Sequence, residues 1–368
     1  MSTDVFVIGG GPAGLAAAIA ARANGFRVIL ADPARPPIDK ACGEGLMPDS
    51  LAALRGLGVA LPLASESFPF RGIRLHGAGA AVDASFPNGS ALGVRRTVLH
   101  PLLVERAEQA GVELLWRTRV NGIAGSMVDV DGRQVRATWI VGADGQNSRV
   151  RQWAGLDRHH NKSERFGFRR HYRVAPWTDC MEIYWGAGCQ IYTTPVGPAE
   201  VCVALISRDS HLRLDETLAS FPNLSVHLEG AAATTAEKGA ITVTRRLKGI
   251  AAGNVALIGD ASGSVDAITG EGLCLSFLQA VSLAGALAAG RLQGYQSAHN
   301  RLMRRPAMMG DMMLLLDRWP SLLKRVLPAL AARPSIFYNM LAMHVGNLKP
   351  REFFFDAIVP LGWGILQS

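Results

Sequence analysis

The chain has 368 residues, of which 49% are apolar and 18% charged, with 38 basic against 30 acidic side chains. This composition excludes a disordered chain, and the 40 glycines show no three-residue period, which excludes collagen. The net charge of +8 is compatible with an anionic cofactor or an anionic membrane surface. Since the basic residues occur as scattered pairs without zinc-binding spacing, we expect no nucleic-acid binding.

The five cysteines are irregularly spaced and include no Cys-x-x-Cys pair, which is typical of free thiols in a reducing compartment. The apolar segment 5–21 has no basic leader and is interrupted by glycine and proline, so it does not resemble a signal peptide. No segment stays apolar over the length that crosses a bilayer. The sequence therefore predicts a cytoplasmic location, in solution or on a membrane surface.

The first 32 residues predict a strand (5–8), a glycine-rich turn (9–14), an alanine-rich helix (15–24) and a second strand (27–31). A βαβ unit of this kind requires a parallel sheet.

Further along the chain, the pattern predicts a short helix at 49–57, an antiparallel hairpin at 71–86 and an amphipathic helix at 97–111. Strand-like runs between 166 and 207 predict a second, antiparallel sheet. Another buried strand of the parallel type follows at 255–258, and the chain is mostly helical from residue 271. Because parallel-type strands occur on both sides of the antiparallel block, we expect the cofactor domain to be discontinuous.

The turn between the first strand and the first helix has the spacing Gly-x-Gly-x-x-Gly. Gly9 permits the tight turn, Gly11 lets a pyrophosphate approach the backbone, and Gly14 lets the helix pack closely on the strand. The helix N-terminus supplies amide hydrogens and the positive end of a dipole. Asp32 ends the second strand, where an acid accepts hydrogen bonds from a ribose. This arrangement predicts a dinucleotide site.

Two more glycine motifs follow predicted strands. The segment 142–151 contains Asp144, the segment 259–263 contains Gly259 and Asp260, and the latter continues to the Thr-Gly-Glu-Gly turn at 269–272. With the first motif, these segments resemble the class A FAD-dependent monooxygenases, including their geranylgeranyl-reductase-like and flavin-halogenase-like branches. The resemblance covers roughly residues 4–300.

This resemblance implies an α/β fold, in which a discontinuous Rossmann-like FAD-binding domain of the GR2 type carries an inserted antiparallel β-sheet substrate domain and a helical C-terminus. The expected boundaries are 1–70, 91–165 and 246–300 for the FAD-binding domain, 71–90 and 166–245 for the hairpin and sheet of the substrate domain, and 301–368 for the C-terminal helical region.

The resemblance also implies the contacts with FAD. The expected cofactor-binding residues are Gly9, Gly11, Pro12, Ala13, Gly14, Asp32, Cys42, Gly43, Arg96, Asp144, Gly259, Asp260, Gly270 and Gly272. Asp144 and Asp260 have an alternative role as helix caps, and Arg96 as a surface residue. Cys42 is interpreted either as a neighbour of the flavin ring or as a small buried apolar residue.

The substrate pocket is expected between the flavin and the antiparallel sheet. Alternation along the strands directs either Tyr184 and Tyr192 or Trp185 to this pocket, or leaves all three in the core, and the parity of the strand does not decide. His171 is either an acid–base group or a structural residue. We predict no metal site, because the sequence contains no metal-binding cluster.

The resemblance implies flavin-borne chemistry, with NAD(P)H as a transient reductant because no second Gly-x-Gly-x-x-Gly occurs. The leading hypothesis is a monooxygenase that uses O2 and a flavin C4a-hydroperoxide to hydroxylate a hydrophobic, aromatic or polyketide-like small molecule. The alternatives are a reductase of carbon–carbon double bonds in an isoprenoid-type substrate and an electron-carrying flavoprotein. The Trp-x-Trp-x-x-Pro signature of halogenases is absent, which argues against halogenation.

The C-terminal region is rich in methionine and leucine between residues 303 and 330. Its helices are interpreted either as a lid and peripheral membrane contact or as part of the core. The chain is expected to be a monomer or a homodimer.

Overall fold

The computed structural model describes residues 1–367. Within this range the strands are, in chain order, β1 (Ser2–Ile8), β2 (Val28–Asp32), β3 (Gly45–Leu46), β4 (Ser67–Phe70), β5 (Gly72–Gly77), β6 (Ala80–Ser85), β7 (Ala91–Val94), β8 (Glu113–Trp116), β9 (Val120–Ala124), β10 (Met127–Val130), β11 (Arg133–Gly142), β12 (His159–Arg173), β13 (Cys180–Trp185), β14 (Cys189–Gly197), β15 (Glu200–Ser207), β16 (Ala232–Ala233), β17 (Lys238–Leu247), β18 (Ala251–Ala252) and β19 (Val255–Leu257).

The helices in the same range are α1 (Pro12–Ala23), α2 (Pro48–Gly56), α3 (Arg96–Gln109), α4 (Arg149–Trp153), α5 (Leu214–Leu218), α6 (Pro222–Leu228), α7 (Gly272–Ala288), α8 (Gln293–Arg318), α9 (Pro320–Ala332), α10 (Pro334–His344), α11 (Pro350–Phe353) and α12 (Val359–Gln367). Short 3₁₀ turns occur at Gly259–Ser262 and Ala267–Thr269, and a π-helical turn at Phe354–Ile358. The helices predicted at 49–57 and 97–111 correspond to α2 and α3.

The first sheet is built around β1, which pairs in parallel with β2 on one side and with β11 on the other. Its strand order is β18-β19-β11-β1-β2-β8, and β9 and β10 extend it from β11. Helix α1 packs against α3 and α7, since its small alanine side chains allow close approach. The predicted βαβ unit is confirmed, and the buried strand predicted at 255–258 is β19.

The second sheet has the order β16-β12-β15-β14-β13-β5-β6, with β17 also pairing with β12. The predicted hairpin at 71–86 is confirmed as β5 and β6. The sheet is mixed rather than purely antiparallel, because β5 and β13 pair in parallel. Parallel strands need a long connection between them, and a long stretch of chain separates β5 from β13. Strand β12 begins at His159, before the first strand-like run predicted from 166, and β17 pairs with it between His159 and Arg169.

The C-terminal helices cover the second sheet, where α9 and α10 pack on β6. Leu323, Val326 and Leu327 of α9 are buried in the same cluster as Trp185, which confirms the core interpretation for this helix. On the outside, the side chains of Phe355 and Trp363 are more than half exposed. Membrane contact through this region stays a prediction, and within residues 1–367 no helix has the length and apolarity needed to cross a bilayer.

Candidate functional site

One continuous cavity of about 760 Å³ lies at the carboxyl ends of the parallel strands and extends to the second sheet. Ligands of open α/β sheets bind at this edge of the sheet. The sequence-predicted residues that line the cavity are Gly9, Gly11, Pro12, Ala13, Asp32, Cys42, Gly43, Arg96, Asp144, Tyr192, Gly259, Asp260, Gly270 and Gly272. The predicted residues outside its lining are Gly14, His171, Tyr184 and Trp185.

The glycines of the first turn have different functions in the structure. A Cβ atom at Gly14 would lie 1.8 Å from the carbonyl oxygen of Gly9, so this glycine is required by the packing of α1 on the turn. A Cβ atom at Gly11 would meet no heavy atom within 4 Å, so Gly11 presents open backbone to the cavity. Helix α1 begins at Pro12, beside this opening. The open backbone and the helix N-terminus fit a pyrophosphate.

Asp32 lies beside the same turn, at the end of β2. Its Oδ2 accepts a hydrogen bond of 2.6 Å from the backbone N–H of Gly10, and its Oδ1 accepts one of 2.7 Å from Ala34. Each carboxylate oxygen has a second lone pair, which is available to a ribose hydroxyl. A Cβ atom at Gly10 would lie 2.3 Å from the ring of Trp116, a constraint that the sequence motif did not reveal.

At the other end of the cavity, a turn leads into helix α7. Gly270 has a φ of +68°, in the left-handed region that favours glycine. A Cβ atom at Gly272, where α7 begins, would meet nothing within 4 Å. The positive end of a 17-residue helix therefore adjoins the cavity. With the first turn, this arrangement fits FAD, whose ring system and pyrophosphate both benefit from helix N-termini.

Three predicted polar residues of the lining already have partners. Both carboxylate oxygens of Asp144 accept hydrogen bonds from the start of α4, so its capping role is present in the structure. Asp260 accepts a hydrogen bond of 3.2 Å from Nζ of Lys40. Arg96 begins α3; its side-chain Nε donates to the carbonyl oxygen of Ile38 at 3.4 Å, and its backbone N–H donates to Oε1 of Glu44 at 2.9 Å. Contacts of these three side chains with FAD stay predictions.

The three aromatic candidates are separated by strand register. Ile183 pairs with Tyr192, which places Trp185 on the same face as Tyr192 and Tyr184 on the opposite face. Tyr192 lines the cavity and donates its hydroxyl to the carbonyl oxygen of Ile268 at 2.7 Å. Tyr184 donates to the buried carboxylate of Glu182. The expectation that Tyr184 and Tyr192 point to the pocket together is therefore corrected.

His171 is fully buried and contacts two residues of the cavity lining, Glu44 and Arg169. Its Nε2 lies 2.6 Å from Oε2 of Glu44, which lines the cavity next to Cys42 and Gly43. Cys202 is close enough to complete a group of three metal-ligating side chains. Since the Glu44 and His171 atoms face each other at hydrogen-bond distance, we interpret them as a hydrogen-bonded pair. Sequence reasoning did not single out Glu44, because its partner is 127 residues away.

A second buried acid, Glu271, lies between the two glycines that lead into α7. Its Oε1 is 3.1 Å from Nδ1 of His344 in α10, and its Oε2 is 3.9 Å from Nη2 of Arg305 in α8. Burial raises the pKa of Glu271 to about 8, and burial lowers the pKa of His344 to about 4. Both groups are therefore mainly neutral at pH 7, and neither carboxyl oxygen of Glu271 has a hydrogen-bond partner among the described residues.

We expect the Glu271→Gln variant to flatten the pH dependence of stability between pH 6.5 and 8. Over this window the Glu271 carboxyl keeps its proton in the folded chain and loses it on unfolding, where its pKa is 4.5. The contribution of the Glu271 carboxyl to the free energy of unfolding is therefore complete below pH 4.5 and is lost as the pH rises towards 8. The free energy of unfolding of the wild type should fall by about 1.5 to 2 kcal/mol more than that of the variant.

Urea unfolding of both cofactor-free proteins at pH 6.5, 7.2 and 8 measures this difference. Below pH 6.5 the contribution of His344 has the opposite sign, because its folded form binds fewer protons than its unfolded form. The comparison is therefore confined to the higher window. Parallel curves for the two proteins would contradict the assignment.

The chain is similar to known flavoproteins. The family model described as FAD binding domain matches residues 2–302. The menaquinone reductase of Mycolicibacterium smegmatis is 28% identical over 328 residues, which are 82% of this chain and 80% of that protein. The digeranylgeranylglycerophospholipid reductase 1 of Methanothermobacter thermautotrophicus is 26% identical over 309 residues, which are 78% of this chain and 77% of the relative. Shorter matches, over 42% of the chain, include monooxygenases.

Among solved structures, that of the flavin-dependent brominase Bmp2 superposes with a TM-score of 0.83 at 17% identity and covers 100% of this chain and 99% of that one. At this level of identity the likeness concerns the fold alone.

Proposed function

The chain belongs to the FAD binding domain family and is an FAD-dependent oxidoreductase; within this class, we propose that it reduces a carbon–carbon double bond of an isoprenoid-type lipid. The observation that carries the proposal is the length of the matches. The two reductases named above align over about four fifths of both chains, whereas the monooxygenases align over 42% of this one. Both reductases are named for lipids with long isoprenoid chains. The double-bond reductase, which was the alternative in the sequence analysis, thereby becomes the leading hypothesis in place of the monooxygenase.

The cavity supports the proposal through apolar side chains in its lining. Beyond Cys42 and Gly43, its lining includes the side chains of Met181, Tyr192 and Ile206. The hydroxyl of Tyr192 is engaged by the carbonyl of Ile268, so the ring contributes mainly apolar surface. Side chains of this kind would contact a hydrocarbon chain.

FAD would supply the hydride that NAD(P)H provides, and one alkene carbon would accept it while the other accepts a proton. The residues of this chain have the remaining tasks. The backbone at Gly11 and the N-terminus of α1 would hold the pyrophosphate, and Asp32 the ribose. The N-terminus of α7 would face the ring system, and its positive end would stabilise negative charge there.

The test is a single turnover without oxygen. The FAD-loaded protein is reduced with NAD(P)H and mixed with menaquinone or with a geranylgeranyl lipid. We expect the absorbance of oxidised flavin to return and the lipid to gain two hydrogen atoms. Mass spectrometry after chemical reoxidation of the quinone separates the two sites of reduction, because only alkene reduction leaves the lipid heavier. A lipid of unchanged mass contradicts the proposal.

The second candidate function is the monooxygenase, which is favoured by the shorter matches to monooxygenases. It predicts a transient absorbing species when oxygen is admitted to the reduced protein, and incorporation of labelled oxygen into an aromatic compound. An electron-carrying flavoprotein would instead oxidise NAD(P)H with neither class of acceptor and require a protein partner.

A further inference from the structure

The segment from α11 to α12 is apolar on the face that packs against the rest of the protein. Phe353 and Ala357 are buried in the cluster that also contains Trp185 and the buried leucines of α9, and Leu361 packs against this cluster. The π-helical turn contacts α10, and α12 contacts α9. These contacts leave the opposite side of the segment directed away from the core.

That opposite side is apolar as well. Phe355, Val359 and Trp363 are spaced by four residues, and they are offset by two residues, about half a helical turn, from the buried side chains. Their exposed fractions are 58%, 49% and 60%. We call these three residues the outer stripe. A helix on the surface of a globular protein normally carries polar side chains on its outward face, so the outer stripe fits an apolar environment.

The charge of the C-terminal helices indicates what kind of apolar partner fits the outer stripe. From residue 318 onward the chain has six basic and two acidic residues, which contribute half of its net charge of +8. The six basic residues are all exposed, and none of them forms an ion pair with a described acid. They are Arg318, Lys324, Arg325, Arg333, Lys349 and Arg351. Arg351 precedes Phe355 by four residues, so a cation lies at the start of the outer stripe.

The two acids of this part of the chain do not neutralise these cations. Oε2 of Glu352 accepts a hydrogen bond of 3.0 Å from the backbone N–H of Lys349, and Asp356 is exposed beside Phe355. A second copy of this chain on the outer stripe would bring like net charges together, which disfavours self-association. Exposed aromatic side chains with an excess of cations fit the boundary of an anionic bilayer instead.

We propose that the outer stripe docks on an anionic lipid bilayer. Phe355 and Trp363 enter the boundary between headgroups and acyl chains, and the exposed basic side chains lie among the headgroups. Docking involves no turnover, so the proposal is independent of the reaction proposed above.

Sedimentation with vesicles tests the proposal on the full, FAD-loaded chain. Vesicles of phosphatidylglycerol and phosphatidylcholine in equal amounts should bind the protein at least about ten-fold more tightly than vesicles of phosphatidylcholine alone, because the cations are attracted only to the anionic lipid. The double variant Phe355→Ser and Trp363→Ser should bind the anionic vesicles at least about ten-fold more weakly than the wild type, because two large apolar side chains no longer enter the bilayer.

Val226 of α6 supplies the control, since its exposed fraction is 68%. Helix α6 packs on the face of the second sheet that contains Tyr184, opposite the C-terminal helices. Val226→Ser also removes an exposed apolar side chain, but it should leave vesicle binding unchanged. An equal loss of binding in Val226→Ser and in the double variant would contradict a specific role of the outer stripe.

A second measurement locates the contact. Vesicles with brominated acyl chains should quench the tryptophan fluorescence of the bound protein. Trp363→Phe keeps an apolar ring, so this variant should bind the same vesicles nearly as tightly as the wild type but lose much of the quenching. Quenching that is the same in Trp363→Phe and wild type would show that another surface contacts the bilayer.

Two further outcomes would overturn the proposal. One is equal binding of the wild type and the double variant to anionic vesicles, or no binding of the wild type. The other is a dimer of the wild type in sedimentation equilibrium that binds no vesicles and that the double variant abolishes, because the outer stripe would then cover a second copy of the chain.

Discussion

Replacement of Gly14 by alanine should destabilise the protein even without FAD, whereas replacement of Gly11 should affect only FAD binding. The Cβ atom of Gly14→Ala would lie 1.8 Å from the carbonyl oxygen of Gly9, so α1 must move away from the turn. Overpacking of this kind costs about 3 kcal/mol of the free energy of unfolding. Gly11 has a φ of −71° that alanine also adopts, and its Cβ position is open. Gly11→Ala should therefore cost less than about 1 kcal/mol.

The two variants form a matched pair, since each adds one methyl group to the same turn. Urea unfolding of the cofactor-free proteins measures the first effect, and fluorescence titration with FAD measures the second. We expect FAD affinity of Gly11→Ala to fall by at least about ten-fold, or about 1.4 kcal/mol, because the methyl group occupies the space next to the pyrophosphate. Wild-type affinity in this variant would show that the pyrophosphate lies elsewhere.

Loss of the guanidinium of Arg165 is expected to cost about 3 to 5 kcal/mol of the free energy of unfolding. Arg165 has an exposed fraction of 1%, and it joins Asp266, before the turn into α7, to Asp317 at the end of α8. Its Nε lies 3.1 Å from Oδ1 of Asp266, and its Nη2 lies 2.8 Å from Oδ2 of Asp317. In Arg165→Met both carboxylates lose a cation that they cannot replace with water, because each is about 2% exposed.

Arg208 supplies the control, since it also contacts Asp317, with its Nε 3.2 Å from Oδ2, but is 52% exposed. Solvent screens an exposed partner, so Arg208→Met should change the free energy of unfolding by less than about 1 kcal/mol. Urea unfolding of the two cofactor-free variants gives the comparison. A small loss in Arg165→Met, similar to that in Arg208→Met, would show that the aspartates do not depend on the buried cation.

Local patterns predicted the parts of the site that are formed by neighbouring residues. The turn from Gly9 to Gly14 and the start of α7 at Gly272 each lie within one strand–turn–helix segment, where residue type and spacing determine the backbone. Asp32 is also fixed locally, by the end of β2.

Contacts between distant segments could not be predicted from the sequence. The face of Tyr184 depends on the register of β13 against β14, and a shift of one residue exchanges the two faces. Glu44 and His171 meet only because β12 lies across from the loop before β3, and the partner of Glu271 comes from α10. The local sequence around each of these residues does not indicate the pairing, because a buried acid can be recognised only when its partner is known.

The arrangement of the first sheet has a consequence for the synthesis of the protein. Strand β1 and helix α1 are made well before their partners, because β1 pairs with β11 and α1 packs against α7, whose last residue is Ala288. During synthesis, the apolar side of α1 therefore stays uncovered until α7 has left the ribosome. Pairing across such sequence distances is slow and leaves apolar surface exposed meanwhile. The part of the cavity formed by the first turn and α1 is therefore made well before the part formed by α7, and the cavity can close only after α7 has been made.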